Sequence, residues 1–277
     1  MKHLYDFSAL PVDRTISPHD TMMEDGLEGQ YYDIGHRALE LVKFSAELCD
    51  KPHYPDILDL PCGYGRVLRW LRAEYHYAHI TACDLERGGV DFCAERFRAH
   101  PVYSQPDLRQ LDFGKQFSLI WVGSLLTHLP LDKWLTTLDC LVRWTADCGV
   151  IVMSVQGRYF TTQLARGRTN IAENIRKQPL LTDFARDGFA YQPYFEEKSG
   201  DYGIAVTSPE WIGRTLQRYP NLILRAYLEQ AWGMQDIVIL YKREGHYDPV
   251  LGTPELNSPR PPAPATAPGL LQKLFGR

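Results

Sequence analysis

The chain has 277 residues, of which 44% are hydrophobic and 23% charged, the profile of a globular protein with material for one large domain. A net charge of −4 gives no general attraction for polyanions, which argues against a nucleic-acid partner, and no 18-residue apolar run exists for a membrane span. The start, MKHLYDFSALPVDR, lacks the apolar core of a secretory signal, and none of the six cysteines (49, 62, 83, 93, 140 and 148) forms a CxxC pair, so reduced thiols and a cytoplasmic location are expected.

Residues 1–25 carry no clear period, and 1–29 read as an N-terminal segment. From Gln30 to Cys49, Tyr31, Ile34, Ala38, Leu41, Phe44 and Leu48 recur at helical spacing. A buried strand is expected at Ile57–Leu60, a helix at Tyr64–His76, a second strand at His79–Asp84 and a second helix over GGVDFCAERFRAH. Phe117–Gly123 is an unbroken apolar run of strand length, LDKWLTTLDCLVRWTAD a helix with Asp132 as its cap, and Gly149–Gln156 another apolar strand. Strands apolar on both faces, alternating with helices, predict an α/β fold whose mostly parallel sheet is covered on both sides.

The alternation breaks at Gly157. Residues 157–208 read as an insertion on the substrate side: a basic helical stretch, TTQLARGRTNIAENIRKQ, then two strand-like pieces, FAYQPYFEE and YGIAVT. A helix follows at SPEWIGRTLQRY, with Ser208 as cap and Pro209 in the first helical position. NLILRAYLEQAW and MQDIVILYKR, joined by a Trp-Gly turn, predict an antiparallel hairpin. Residues 246–277, with seven prolines, form a Pro-rich tail that cannot build a core; it is expected to be flexible, with docking to a protein partner through GLLQKLFGR as the alternative.

DLPCGYGRV is a strand end, a glycine-bearing turn and a helix start. A P-loop needs lysine after its last glycine, where Arg66 stands, and a dinucleotide fingerprint needs a third glycine where Leu68 stands. Gly63 and Gly65 let the backbone approach a ligand, and Pro61 offers no N–H to a pyrophosphate. An acid at a strand's carboxyl end, as Asp84 is, suits a ribose diol, because one carboxylate accepts from both hydroxyls.

The run resembles the first motif of class I S-adenosylmethionine-dependent methyltransferases, an acid followed by three alternate glycines, with Pro61 in place of the first. Asp84, nineteen residues beyond Gly65, matches the family's ribose-binding acid, and PDLRQLDFGKQFSLI is similar to its adenine-contacting stretch, which puts that role on Asp107 and Leu108. FSLIWVGSLLTHLP resembles the fourth strand and its loop, although Ser118 stands where the family carries an aspartate; the closing hairpin matches strands six and seven. The likeness runs from Gln30 to Arg243 and implies a Rossmann-like seven-stranded sheet, mostly parallel, with helices on both faces and an antiparallel C-terminal hairpin strand, over residues 30–245.

It further implies methyl transfer from S-adenosylmethionine, with S-adenosylhomocysteine as product, and a cofactor set of Asp59, Pro61, Gly63, Gly65, Asp84, Leu85, Asp107, Leu108 and Gly123, Asp59 ordering the turn through its N–H groups. His128, just beyond the fourth strand, is the candidate general base or else a stabiliser of its loop. The acceptor pocket is expected from the insertion, from Tyr31 and Tyr32, and from Trp232 and Gln235, and a small-molecule or carbohydrate hydroxyl is the expected acceptor. No clustered His, Cys and Asp spacing points to a metal. Two rivals remain: an NAD(P)-dependent oxidoreductase on a related sheet, and a non-catalytic scaffold that binds the same cofactor and docks a partner through its tail.

Overall fold

A computed structural model describes residues 5–24, 26–169, 175–194 and 201–245. In chain order the elements are α1 (Glu28–Leu48), β1 (Asp56–Asp59), α2 (Leu68–Glu74), β2 (His79–Asp84), α3 (Arg87–Phe97), β3 (His100–Tyr103), β4 (Phe117–Val122), α4 (Leu131–Trp144), β5 (Thr145–Val155), α5 (Arg158–Ala165), α6 (Lys177–Asp187), β6 (Phe189–Pro193), β7 (Gly203–Thr207), α7 (Pro209–Leu216), β8 (Leu222–Trp232) and β9 (Gln235–Lys242). Seven strands form one sheet in the order β3-β2-β1-β4-β5-β9-β8, and β6 and β7 pair apart from it. All pairs from β3 through β5 are parallel, whereas β9 runs antiparallel to both β5 and β8.

Apolar continuity has a direct cause. Ile57, Leu119, Trp121, Val150, Val152, Ile237 and Ile239 pack beneath α1, α2 and α3, while their neighbours Leu58, Ile120, Val122, Ile151, Met153, Val238 and Leu240 pack beneath α4 and α7. Successive side chains leave opposite faces of a strand, so a sheet covered twice needs a hydrophobic residue at every position. Each such side chain contributes about 1.5–3 kcal/mol by leaving water, which far outweighs any single cap or surface pair. A third cluster, around Phe160, Leu164, Leu180, Ile204 and Val206, joins α5 and α6 to the small sheet.

The structure shifts several expected boundaries. β1 lies one residue earlier than expected, although Leu60 still donates its N–H to the Trp121 carbonyl. α2 begins at Leu68 rather than Tyr64, because Gly63 and Gly65 at φ +50° and +78° hold the preceding residues in a turn. Asp132 does not cap α4; Pro130 occupies that place and makes no side-chain bond. The basic stretch is not one helix: α5 ends at Ala165, and Gly167 at φ +68° turns the chain away. Short β3 and helix α6 were not expected, the former because its exposed residues carry no apolar alternation. Ser208 caps α7 as expected, accepting from the Trp211 N–H with Pro209 behind it. The tail from 246 onward lies outside the described residues.

Candidate cofactor site

The site begins where β1 stops. Side-chain alternation sends Asp59 to the same face as Ile57, beneath the turn that carries Gly63 and Gly65. Asp59 is 1% exposed, and neither carboxylate oxygen has a hydrogen-bond partner among the described residues. Burial drives its pKa well above the ordinary carboxylate value, and the Asp84 charge adds to the effect. The acid that orders the turn is therefore Asp84, not Asp59 as expected. Asp84 Oδ2 accepts from the Gly63 N–H at 2.7 Å and its Oδ1 from the Glu86 N–H at 2.9 Å. It can do so because β2 ends beside the turn, whereas Asp59 lies under it.

The two glycines serve different purposes. A Cβ on Gly63 would meet nothing within 4 Å, so this backbone faces open space. A Cβ on Gly65 would lie 2.4 Å from the Phe97 ring and 3.0 Å from Cys93 Sγ, so Gly65 is bare in order to pack against α3. Gly123 likewise borders Trp121 and Trp232.

Along the carboxyl edge of the sheet lies a cavity of about 490 Å³. Pro61, Asp84, Leu85, Asp107 and Leu108, all expected in the site, line it, together with Leu60, Leu125 and Leu129. Its far wall was missed by the sequence reading and comes from α4, through Asp132, Lys133, Thr136 and Thr137. Asp107 accepts from the Arg109 N–H at 3.0 Å and holds the Arg109 guanidinium through both oxygens, which keeps its carboxyl below the ordinary range.

His128 ends a 3₁₀ turn, Leu126–His128, just beyond β4. Its Nδ1 lies 2.8 Å from the Gly203 carbonyl of β7, which can only accept, so Nδ1 carries the proton and Nε2 the lone pair. Nε2 makes no hydrogen bond among the described residues. The ring stacks on Tyr202 with centroids 4.7 Å apart, and burial lowers its pKa below the ordinary imidazole value. Nearby, Ser124 holds φ +59°, fixed by a bond from its N–H to Ser154 Oγ (2.7 Å), while Gln235 Nε2 donates to Ser124 Oγ at 2.9 Å. Trp232 and Tyr31, expected in the acceptor pocket, are instead buried structural residues: Trp232 donates to the Ile34 carbonyl and Tyr31 to Asp20. Among the described residues, no group of three or more His, Cys, Asp or Glu could hold a metal ion.

A family model described as a methyltransferase domain matches residues 57–149, from β1 into β5. Over those residues the chain is similar to a methyltransferase domain, in line with the resemblance to class I S-adenosylmethionine-dependent methyltransferases carried by its first motif. A curated relative, the malonyl-[acyl-carrier protein] O-methyltransferase of Acetivibrio thermocellus, is 27% identical over 127 residues, which span 43% of this chain and 44% of that protein. The fold is shared with an S-adenosylmethionine-dependent methyltransferase from Clostridium acetobutylicum (TM-score 0.52, 14% identity, 78% of this chain and 92% of that one). It is also shared with CalS10, an amino pentose methyltransferase from Micromonospora echinaspora solved with S-adenosylmethionine (TM-score 0.51, 12% identity, 81% and 99%).

The residues of the site fit S-adenosylmethionine. Gly63 leaves room where a Cβ would stand, and Asp59 is a buried acid without a protein partner, suited to a cationic group. Apolar Leu60, Leu85 and Leu108 on the cavity wall suit a flat ring.

Proposed function

We propose that this protein transfers a methyl group from S-adenosylmethionine to a hydroxyl oxygen of a small-molecule or carbohydrate acceptor in the cytoplasm, with His128 as general base. S-adenosylmethionine, when bound, supplies a methyl group on a sulfonium centre, so the protein's work is alignment, exclusion of water and removal of the acceptor's proton. Asp84 orients the ribose: each of its oxygens accepts one backbone N–H and keeps a further lone pair for a ribose hydroxyl. Asp107 and Leu108 hold the adenine from the cavity wall. Asp59 takes the amino-acid end by its positive charge. Arg66, which follows Gly65, takes the carboxylate; its guanidinium is desolvated, which lowers its pKa, and has no hydrogen bond or ion pair among the described residues.

The observation that carries the assignment of an oxygen acceptor is the fixed tautomer of His128. A carbonyl on Nδ1 and a lowered pKa favour the neutral ring with its lone pair on Nε2, the form that proton abstraction from a hydroxyl requires. Ser124, four residues before His128, and its partner Gln235 offer the acceptor further hydrogen bonds. The insertion, 157–208, closes this side through Tyr194 and Tyr202 beside the His128 ring. Support for oxygen as acceptor atom comes from a relative named as a malonyl-[acyl-carrier protein] O-methyltransferase, and support for a carbohydrate comes from a protein of like fold named as an amino pentose methyltransferase. The nicotinamide reading has no comparable support, since the third glycine of its fingerprint is Leu68. To test the assignment, the protein is incubated with methyl-labelled S-adenosylmethionine and fractionated small-molecule extract. Label in an alkali-stable methyl ether supports it, and label only in amines or in alkali-labile esters, whose acceptors need no hydroxyl deprotonated, removes His128 as base.

A further inference from the structure

Arg69, on the second residue of α2, is 1% exposed and has no carboxylate against it among the described residues. All five of its N–H donors are nevertheless engaged. Nε donates to the Gly65 carbonyl at 3.0 Å and Nη2 to the Tyr64 carbonyl at 3.3 Å, both in the glycine turn. Nη1 donates to the Asp13 and Thr15 carbonyls at 3.2 and 2.9 Å, both in the N-terminal segment. The fifth bond, from Nη2 to Tyr31 Oη at 3.2 Å, continues through Tyr31 to Asp20 Oδ2 at 2.6 Å. Thus one buried cation ties the turn to both ends of the segment Asp13–Asp20, and Asp20 balances its charge at one remove. Arg96 of α3 adds bonds to Asp13 and Thr15 from outside. The opposite flank of the turn is closed by α3, where Gly89 abuts the Gly63 carbonyl.

We propose that Arg69 is a positioning residue which makes Asp13–Asp20 a strap on the glycine turn, so that filling the cofactor site and closing the strap favour one another. The inference rests on the cofactor assignment above. The reason is energetic: a guanidinium without a direct counter-ion stays buried only while all its carbonyl partners hold still, so a strap that opens strips two of them and frees the turn. Coupling of this kind is reciprocal, hence a ligand that fixes the turn must slow opening of the strap.

Trypsin reads that opening, because Arg14 lies inside the strap. In the full-length protein, saturating S-adenosylhomocysteine should slow the appearance of the fragment that begins at Thr15, followed by mass spectrometry. In Arg69→Met this cleavage should quicken, lose its response to S-adenosylhomocysteine, and be accompanied by at least a tenfold weaker dissociation constant by calorimetry. Tyr31→Phe, which removes one bond of five and keeps the ring, should give the same changes at several-fold size; it decides the matter if Arg69→Met does not fold. Unchanged affinity in a folded variant, or wild-type cleavage at Arg14 indifferent to the ligand, overturns the proposal while the cofactor assignment stands. Wild-type protein that binds no S-adenosylhomocysteine overturns both.

Discussion

The proposed cofactor side and the proposed acceptor side of this protein are built by opposite means. On the cofactor side the groups lie within one βαβ unit: Asp59, Gly63 and Asp84 occupy 26 consecutive positions, and the Asp84 bond to Gly63 spans 21 of them. On the acceptor side, the His128–Gly203 bond joins residues 75 apart and the Ser124–Gln235 bond residues 111 apart. A local site keeps its chemistry while the rest of the chain changes, whereas a site assembled from distant segments can be altered by changing any one of them.

The comparison predicts that variants on the two sides separate affinity from turnover. The largest effect belongs to the acceptor side. His128→Gln should lower kcat by about 10²–10⁴-fold, the usual contribution of a positioned base, with S-adenosylhomocysteine affinity unchanged in a calorimetric titration. Intact turnover would reduce His128 to a stabiliser of its loop. Next comes Asp84→Ala, which should weaken S-adenosylhomocysteine by about 1.5–3 kcal/mol, the worth of hydrogen bonds to a charged group. Unchanged affinity would take the acid away from the ribose.

Asp59→Asn should act in two directions at once. The ionised form of a buried acid without a partner is penalised by desolvation, a penalty that asparagine does not carry, so at neutral pH the variant should unfold at higher temperature while binding the cofactor more weakly. The sign with pH follows from the raised pKa. The folded protein binds the Asp59 proton more tightly than the unfolded chain, whose group titrates near 3.8, so wild-type stability falls as pH rises through the raised value. The advantage of Asp59→Asn should therefore be absent near pH 4 and grow toward neutral pH in thermal melts. An advantage that is independent of pH would mean that Asp59 titrates normally. The smallest effect is expected for Lys133→Ala, which removes a half-exposed ion pair of 3.0 Å to Asp201 of the insertion. It should cost about 0.2–1 kcal/mol of stability, and a larger loss would show that this pair holds the insertion in place.

The same contrast explains what the sequence made legible. The doubly covered sheet shows in unbroken apolar strands such as FSLIWV and GVIVMSV, since alternation on two dry faces leaves no polar position. Five of the expected cofactor residues line the cavity because motif and strand end fix their places locally. The α4 wall was not legible: Thr136 and Thr137 interrupt an otherwise ordinary amphipathic helix, and nothing local says that they border a cavity. Nor does any sequence pattern mark Ser124 as a left-handed residue held by Ser154, or separate Arg69, whose partners lie in three segments, from an ordinary surface arginine. The exchanged roles of Asp59 and Asp84 have the same source: which acid meets the turn's N–H groups depends on where two strands end relative to one another.

All of this rests on an adenosyl amino acid filling the crevice at the carboxyl edge of the sheet. Paired calorimetric titrations of the wild-type protein, with S-adenosylhomocysteine and with NAD, test that most directly. The account predicts one-to-one binding of S-adenosylhomocysteine at micromolar strength and no heat with NAD; saturable binding of NAD, with none of S-adenosylhomocysteine, would contradict it.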